Sequence, residues 1–232
     1  MPLAQWFRAA YLVSTLTPGL SAVQLQRQLG LATYETAWTM LHRLRRAMLR
    51  PERDRLSVAV EIDESFLGGA RSGKRGRGAA GKVLVVGAVE VRGEGSGRVR
   101  LAVIPSATKA ALEGFVQANV ITGSAVFTDG FPAYDGLKGI GYDHQPEIQG
   151  GKRNPRNLLP RIHRVFSNLK TWLAGTHHGV GTKNIRVYLR EFEFRFNRRR
   201  TPMAAFQSLL GLTGKHPPQP VRRRGGRSES IR

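Results

Sequence analysis

One stretch constrains this chain more than any other: Val60-Glu61-Ile62-Asp63-Glu64-Ser65-Phe66-Leu67-Gly68-Gly69. Val58, Val60 and Ile62 recur at the period of a strand, yet Glu61, Asp63 and Glu64 sit among them. A strand apolar enough to be buried must compensate that charge, and a bound cation does so. The closing glycines let the backbone turn sharply or approach another group closely. The stretch therefore reads as a strand that ends at a metal site. Successive strand residues face opposite ways, so Glu61 shares the face of Asp63 and is the expected auxiliary acid. Glu64 points away and is expected behind the site or at the surface.

Composition narrows what such a site acts on. Lys plus Arg number 37 against 16 Asp plus Glu, a formal net charge of +21 with a sequence pI near 11.5. That excess repels itself unless a polyanion offsets it, and nucleic acid is the expected partner. The same footprint suits a ribosomal or chromatin-like binding protein. With zero cysteines there are no disulfides and no thiolate ligands, which leaves oxygen and imidazole donors suited to magnesium or manganese. Hydrophobic residues at 41% supply a core. No apolar run reaches the length of a membrane span, and no signal-peptide pattern opens the chain. The expectation is a soluble, cytoplasmic, nucleoid-associated protein with no membrane partner.

Residues 1–50 have helical periodicity broken at Thr17-Pro18-Gly19 and at Gly30. Ser21 is the expected cap of a short helix, and Thr33 or Tyr34 opens a longer one with Ala37, Trp38, Leu41, Leu44 and Met48 inward. This is a helix-turn-helix outline, and its second helix carries His42, Arg43, Arg45, Arg46 and Arg50, of which Arg43, Arg45 and Arg46 are the expected DNA contacts. Residues 51–57 read as a charged linker. Lys74 and Arg75 lie in a Gly- and Arg-rich loop that is a further candidate for the DNA backbone.

From residue 58 to 212 the pattern gives three strands, with a hairpin around Gly93–Gly97, and then a helix over 108–120. A short strand Ala125–Thr128 ends at Asp129, and a brief helix, a fifth strand near 139–144 and two helices over 161–174 and 182–197 follow. The order predicts an α/β fold: a ribonuclease H-like mixed five-stranded sheet flanked by helices, preceded by the small helical segment. Residues 213–232 read as a basic, disordered tail.

In such a sheet the end of the fourth strand lies beside the first. Asp63 and Asp129, 66 positions apart (129 − 63), then form a carboxylate pair able to hold two divalent ions about 4 Å apart for phosphoryl transfer. A third ligand should come from a late helix. His163 shares a helical face with Lys170, seven positions on (170 − 163), where Lys170 meets phosphate. Asn168 is the competing third ligand, on another face. His177 and His178 are expected to be structural or DNA-facing rather than metal ligands, and Phe192, Phe194 and Phe196 to pack their helix on the core.

Taken together, Glu61-Ile62-Asp63-Glu64 with Gly68-Gly69, Thr128-Asp129-Gly130 with Tyr134, His163 through Lys170, Gly175 through Val180, and Tyr188 through Arg199 resemble a bacterial insertion-sequence transposase of the DDE superfamily. The branch is the one in which His or Asn replaces the third acid. The resemblance runs from about residue 3 to 210. It implies Asp63 and Asp129 as the first two catalytic acids with His163 in third place, two Mg2+ or Mn2+ ions, and a homo-oligomer acting on double-stranded DNA. The implied activity is cleavage and strand transfer at the element ends. Members of this branch usually carry a four-cysteine zinc ribbon upstream, which this sequence does not show. The alternative expectation is therefore a truncated, inactive remnant that only binds DNA, and a third is a nuclease acting on RNA–DNA hybrids.

Overall fold

The computed structural model describes residues 1–49, 53–68, 82–147 and 158–213. Three helices, α1 (Leu3–Thr15), α2 (Ala22–Leu29) and α3 (Tyr34–Ala47), precede the sheet. The α2 helix begins with a reciprocal capping box between Ser21 and Gln24 and ends at Gly30 in the left-handed region, after which Thr33 caps α3.

The sheet contains β1 (Ala59–Leu67), β2 (Val83–Arg92), β3 (Gly95–Ile104), β4 (Ala125–Thr128) and β5 (Asp143–Pro146) in the order β3-β2-β1-β4-β5. The first three strands pair antiparallel, while β4 joins β1 and β5 joins β4 in parallel. This is the ribonuclease H-like mixed sheet, with the acidic strand at its centre. Helix α4 (Lys109–Asn119) links β3 to β4, a 3-10 helix (Pro132–Ile140) precedes β5, and α5 (Pro160–His177), α6 (Ile185–Asn197) and α7 (Pro202–Thr213) follow.

The alternation of β1 divides the two sheet faces. Val60 and Ile62 pack with Val86, Leu112, Val116 and Tyr134 under α4, whereas Leu67, Val85 and Val89 pack with Ile162, Val165, Phe166 and Leu169 of α5. Glu61 and Asp63 therefore face α5. Val58 stands outside the strand at φ 71° and is exposed, so the strand starts one residue later than its apolar pattern suggests.

Three boundaries differ from those read in the sequence. The hairpin between β2 and β3 is tight, with only Gly93 and Glu94 between the strands. Residues 53–57 are part of the sheet region rather than a loose linker: Leu56 is fully buried and exchanges backbone bonds with Asn119 and Ile121, and Arg53 pairs with Glu193. Helix α7, unforeseen, contributes Ala205 and Leu209 to the same apolar cluster as α1, α2, α3 and Phe194. The N-terminal helices thus share a core with the last helix, and residue 50 is not where the packing divides. The loop at 70–81, most of that at 149–160, and residues 214–232 of the basic tail lie outside the described residues.

Candidate active site

The register of β1 with β4 brings the two expected acids together. Ala59 pairs with Ala125, Val60 with Val126 and Glu61 with Phe127, a constant offset of 66 (125 − 59). Continued past the end of β4, that offset sets Asp129 beside Asp63 (63 + 66). The chain turns directly after Asp129: Gly130 adopts φ 78°, and the Phe131 N–H donates to Asp129 Oδ1 at 3.1 Å. The approach to this turn is fixed by Thr128, whose buried hydroxyl lies 2.9 Å from His144 Nε2 and whose carbonyl accepts from Glu147 N–H.

Asp63 is largely enclosed, and burial pushes its carboxyl above the ordinary carboxylate range. The Glu64 N–H, donating to Asp63 Oδ1 at 2.7 Å, and His163 work against this, while the charge of Asp129 adds to it. A buried carboxylate whose proton affinity is raised by burial and by a neighbouring carboxylate's charge is a site where a cation is favourable.

Helix α5 brings the third group, and the sheet itself places the helix. No residue of α5 caps its own start. Instead Glu61, 3% exposed, accepts from the N–H groups of Arg161 at 2.7 Å and Ile162 at 2.9 Å and from Arg161 Nη1 at 2.7 Å. A carboxylate there satisfies orphan donors and complements the helix dipole. Arg161 also reaches the carbonyls of Gly93 and Gly95, tying the helix to the β2–β3 hairpin. Gly87, opposite Asp63 on β2, lets the helix approach closely, since a Cβ there would lie 2.9 Å from Ile162 Cδ1 and 3.0 Å from Phe166 Cζ. Two residues past the Glu61 cap, His163 Nε2 comes to 3.1 Å from Asp63 Oδ2, with the His163 side chain 47% exposed and open to a substrate.

Glu61 thus shares the face of Asp63 as expected, but its lone pairs are engaged by α5. It positions the helix rather than assisting as a ligand. Glu64 lies on the other face, where it accepts from the Tyr134 hydroxyl at 2.7 Å. Tyr134 is fully buried, and burial together with Glu64 drives its hydroxyl strongly toward the neutral form.

The remaining candidates are distributed unevenly. Lys170 is exposed on α5, two turns beyond His163. Asn168 is about 140° around the helix from His163 at ~100° per residue and lines a cleft with Arg164 and Trp172. Arg43 and Arg46 are exposed on α3. Arg45 is corrected: its side chain is 1% exposed, and Nε donates to the fully buried Glu191 at 2.5 Å. Its guanidinium lies 4.3 Å from the Tyr188 ring centroid, and Nη2 donates to Leu20 O. It cannot touch DNA without breaking that pair. His42 is likewise buried, stacked on Trp38 at 3.7 Å, and burial beside Arg45 lowers it to about 4. Burial, with Arg45 next, lowers His177 to about 3, between the rings of Trp172 and Tyr188. Lys74 and Arg75 lie outside the described residues.

Among the described residues no three His, Cys, Asp or Glu side chains stand converged on a common point for a metal. The donor set of Asp63 within β1, Asp129 just past β4 and His163 on α5 nevertheless fits a divalent cation in kind, and the raised proton affinity of Asp63 favours one.

Fold and donor set together define the class, a ribonuclease H-like protein with an acidic site on its central strand. Within that class the chain belongs to the ISXO2-like transposase domain family, whose pattern matches residues 55–197. Among solved structures it is similar to the catalytic core domain of BIV integrase, at 19% identity over 67% of this chain and 97% of that one, with a TM-score of 0.41. It is also similar to the Mos1 strand transfer complex, at 12% identity over 85% of this chain and 75% of that one, with a TM-score of 0.29. A comparison with curated proteins finds no match. Among the described residues no helix is long and apolar enough to cross a membrane.

Proposed function

We propose that the protein is a divalent-metal-dependent transposase that cleaves DNA at the ends of an insertion sequence and transfers the strand ends to target DNA, working as a homo-oligomer on double-stranded DNA. The observation that supports this reading is the 3.1 Å approach of His163 Nε2 to Asp63 Oδ2, with Asp129 just past the end of the neighbouring strand β4. Asp63, Asp129 and His163 would hold Mg2+ or Mn2+, with Asn168 the alternative to His163. When bound, such ions activate an attacking oxygen and neutralise charge on the leaving oxygen.

The protein's own part is positioning. The Glu64 N–H and His163 orient the Asp63 carboxylate. The Asx turn at Phe131 orients Asp129. His163 reaches Asp63 through Nε2, so to act as a ligand through that atom it must present it unprotonated. Lys170 steadies phosphate along the same helical stripe, and Arg43 and Arg46 hold duplex DNA on α3. In-line displacement needs this positioning and charge neutralisation more than a protein nucleophile.

The test is an assay of cleavage and strand transfer on oligonucleotides carrying the element ends, with Mg2+ or Mn2+. The wild type should form both products, and Asp63→Asn and Asp129→Asn should fall to background. Full activity in either variant would sink the assignment, and a wild type that binds these ends but never cuts them would support the DNA-binding remnant instead.

A further inference from the structure

Beside α5, on the side bearing Arg164 and Asn168, a cleft of 630 Å3 opens between α5, α6, the β2–β3 hairpin and the adjoining ends of α1 and α7. Its lining includes Arg164, Arg195, Arg198, Arg199 and Arg200, and no Asp or Glu among the described residues. Several of these cations are already held in place. Arg198 lies over the Phe194 ring at 4.2 Å and Arg199 over Phe196 at 4.1 Å. Guanidinium planes fixed on aromatic rings lose little further freedom when they bind an oxyanion.

The cleft also contains unsatisfied polar atoms. Ser96 Oγ and Arg195 Nε are buried without a hydrogen-bond partner among the described residues. Each lacks an acceptor that the cleft does not supply, and buried donors left this way are costly. Crowding acts in the same direction: burial, then Arg200 and Arg92, lower the proton affinity of Arg199. An anion rich in acceptor oxygens answers all three features at once.

We propose that this cleft binds the phosphodiester backbone of a DNA strand, as a second contact surface separate from the Asp63 site. The inference rests on reading the protein as one that acts on DNA, but it concerns residues outside the acidic site. Arg164 follows His163 in sequence and is about 100° around the same helix, so α5 presents the two surfaces on adjoining faces. A strand passing His163 continues over the shoulder of the helix into the cleft.

The experiment is a salt series of DNA-binding isotherms, read by fluorescence anisotropy on the full chain in EDTA, with one labelled sequence as single strand and as duplex. Arg164→Gln/Arg200→Gln is the main variant, because both side chains are exposed and neither makes a hydrogen bond or ion pair among the described residues. It should weaken binding about 10-fold, and the slope of log K against log salt should fall by about 1.8 for duplex or about 1.4 for single strand, from ~0.9 or ~0.7 per phosphate contact. Arg200→Gln alone should lose about half of that slope. A drop on one form only identifies the form that the cleft takes. Unchanged affinity and slope on both forms would overturn the proposal. Because EDTA removes metal-dependent chemistry from the readout, the cleft can fail while Asp63 and Asp129 still support cleavage, and the reverse result is equally visible.

Discussion

Replacing Arg45 by Met tests the inner architecture of α3 against the expectation that this basic helix presents all its arginines to DNA. The side chain is 1% exposed and its partner Glu191 is fully buried. The substitution keeps most of the volume but strands the Glu191 carboxylate, leaving Arg195 Nη1 at 3.5 Å as its remaining cationic partner in place of a 2.5 Å contact. Breaking a buried pair from one side costs about 3–5 kcal/mol. The residual Arg195 contact offsets part of this, while the loss of the donor to Leu20 O adds about 1 kcal/mol. A net loss of about 3–4 kcal/mol follows, which at ~2–4 °C per kcal/mol for a chain of this size lowers the melting temperature by about 6–16 °C. Arg45→Met/Glu191→Leu removes both charges and should recover most of it. The assay is thermal unfolding of the three proteins, with DNA binding across a salt series below the melting range. The salt slope should not change, because Arg45 touches no phosphate. An Arg45→Met protein that melts like wild type while its slope falls by about 1, the mark of one lost phosphate contact, would refute the reasoning.

Three further outcomes follow from the same structure. Glu61→Ala leaves the first turn of α5 uncapped and Arg161 unpaired, and should cost about 2–4 kcal/mol in chemical denaturation. Glu61→Gln, which still accepts hydrogen bonds, should lose less. His177 and His42 are depressed to about 3 and about 4 from 6.5. The unfolded chain therefore binds more protons below pH 6.5, and stability present above that value is lost as the pH falls toward 4 and below. Discounted for partial exposure, each should contribute of order 2 kcal/mol, and His177→Gln should flatten the acid limb of a plot of stability against pH. Asp63 has its proton affinity raised by burial, so its ionised form opposes folding at neutral pH. Asp63→Asn should melt higher than wild type at pH 7, and the difference should shrink on acidification as the wild-type carboxyl takes up its proton.

Much of this was legible in the sequence, and the misses have local causes. The Asp63–Asp129 pairing could be read because strand period and element order together fix a register, and a one-residue slip would have turned Asp63 to the other face. That His163 and Lys170 lie exposed on one helix, two turns apart, follows from their spacing. Arg45 was misread because a run of basic residues hides the one that faces inward. Its position four after Leu41 and three before Met48, both buried, was the available signal. Glu61 was given a share of the chemistry because its partners lie a hundred residues away, beyond any local pattern. The burial of Glu191 and Glu193 was similarly hidden, although Glu191 precedes Phe192 and Glu193 sits between Phe192 and Phe194. Helix α7 was obscured by its flanks, an arginine cluster before Pro202 and a basic tail after it. The pairing of Thr128 with His144 had no sequence signal, because it depends on β5 lying beside β4.

Whether Asp63, within β1, and Asp129, just past β4, hold a divalent ion is the most direct question. Mn2+ binding to the full chain, followed by electron paramagnetic resonance of the free ion, measures this without DNA or turnover. The account predicts saturable binding in the wild type that is abolished in Asp63→Asn and in Asp129→Asn, weakened in His163→Ala and unchanged in Asn168→Ala. Wild-type Mn2+ affinity in both aspartate variants would contradict it.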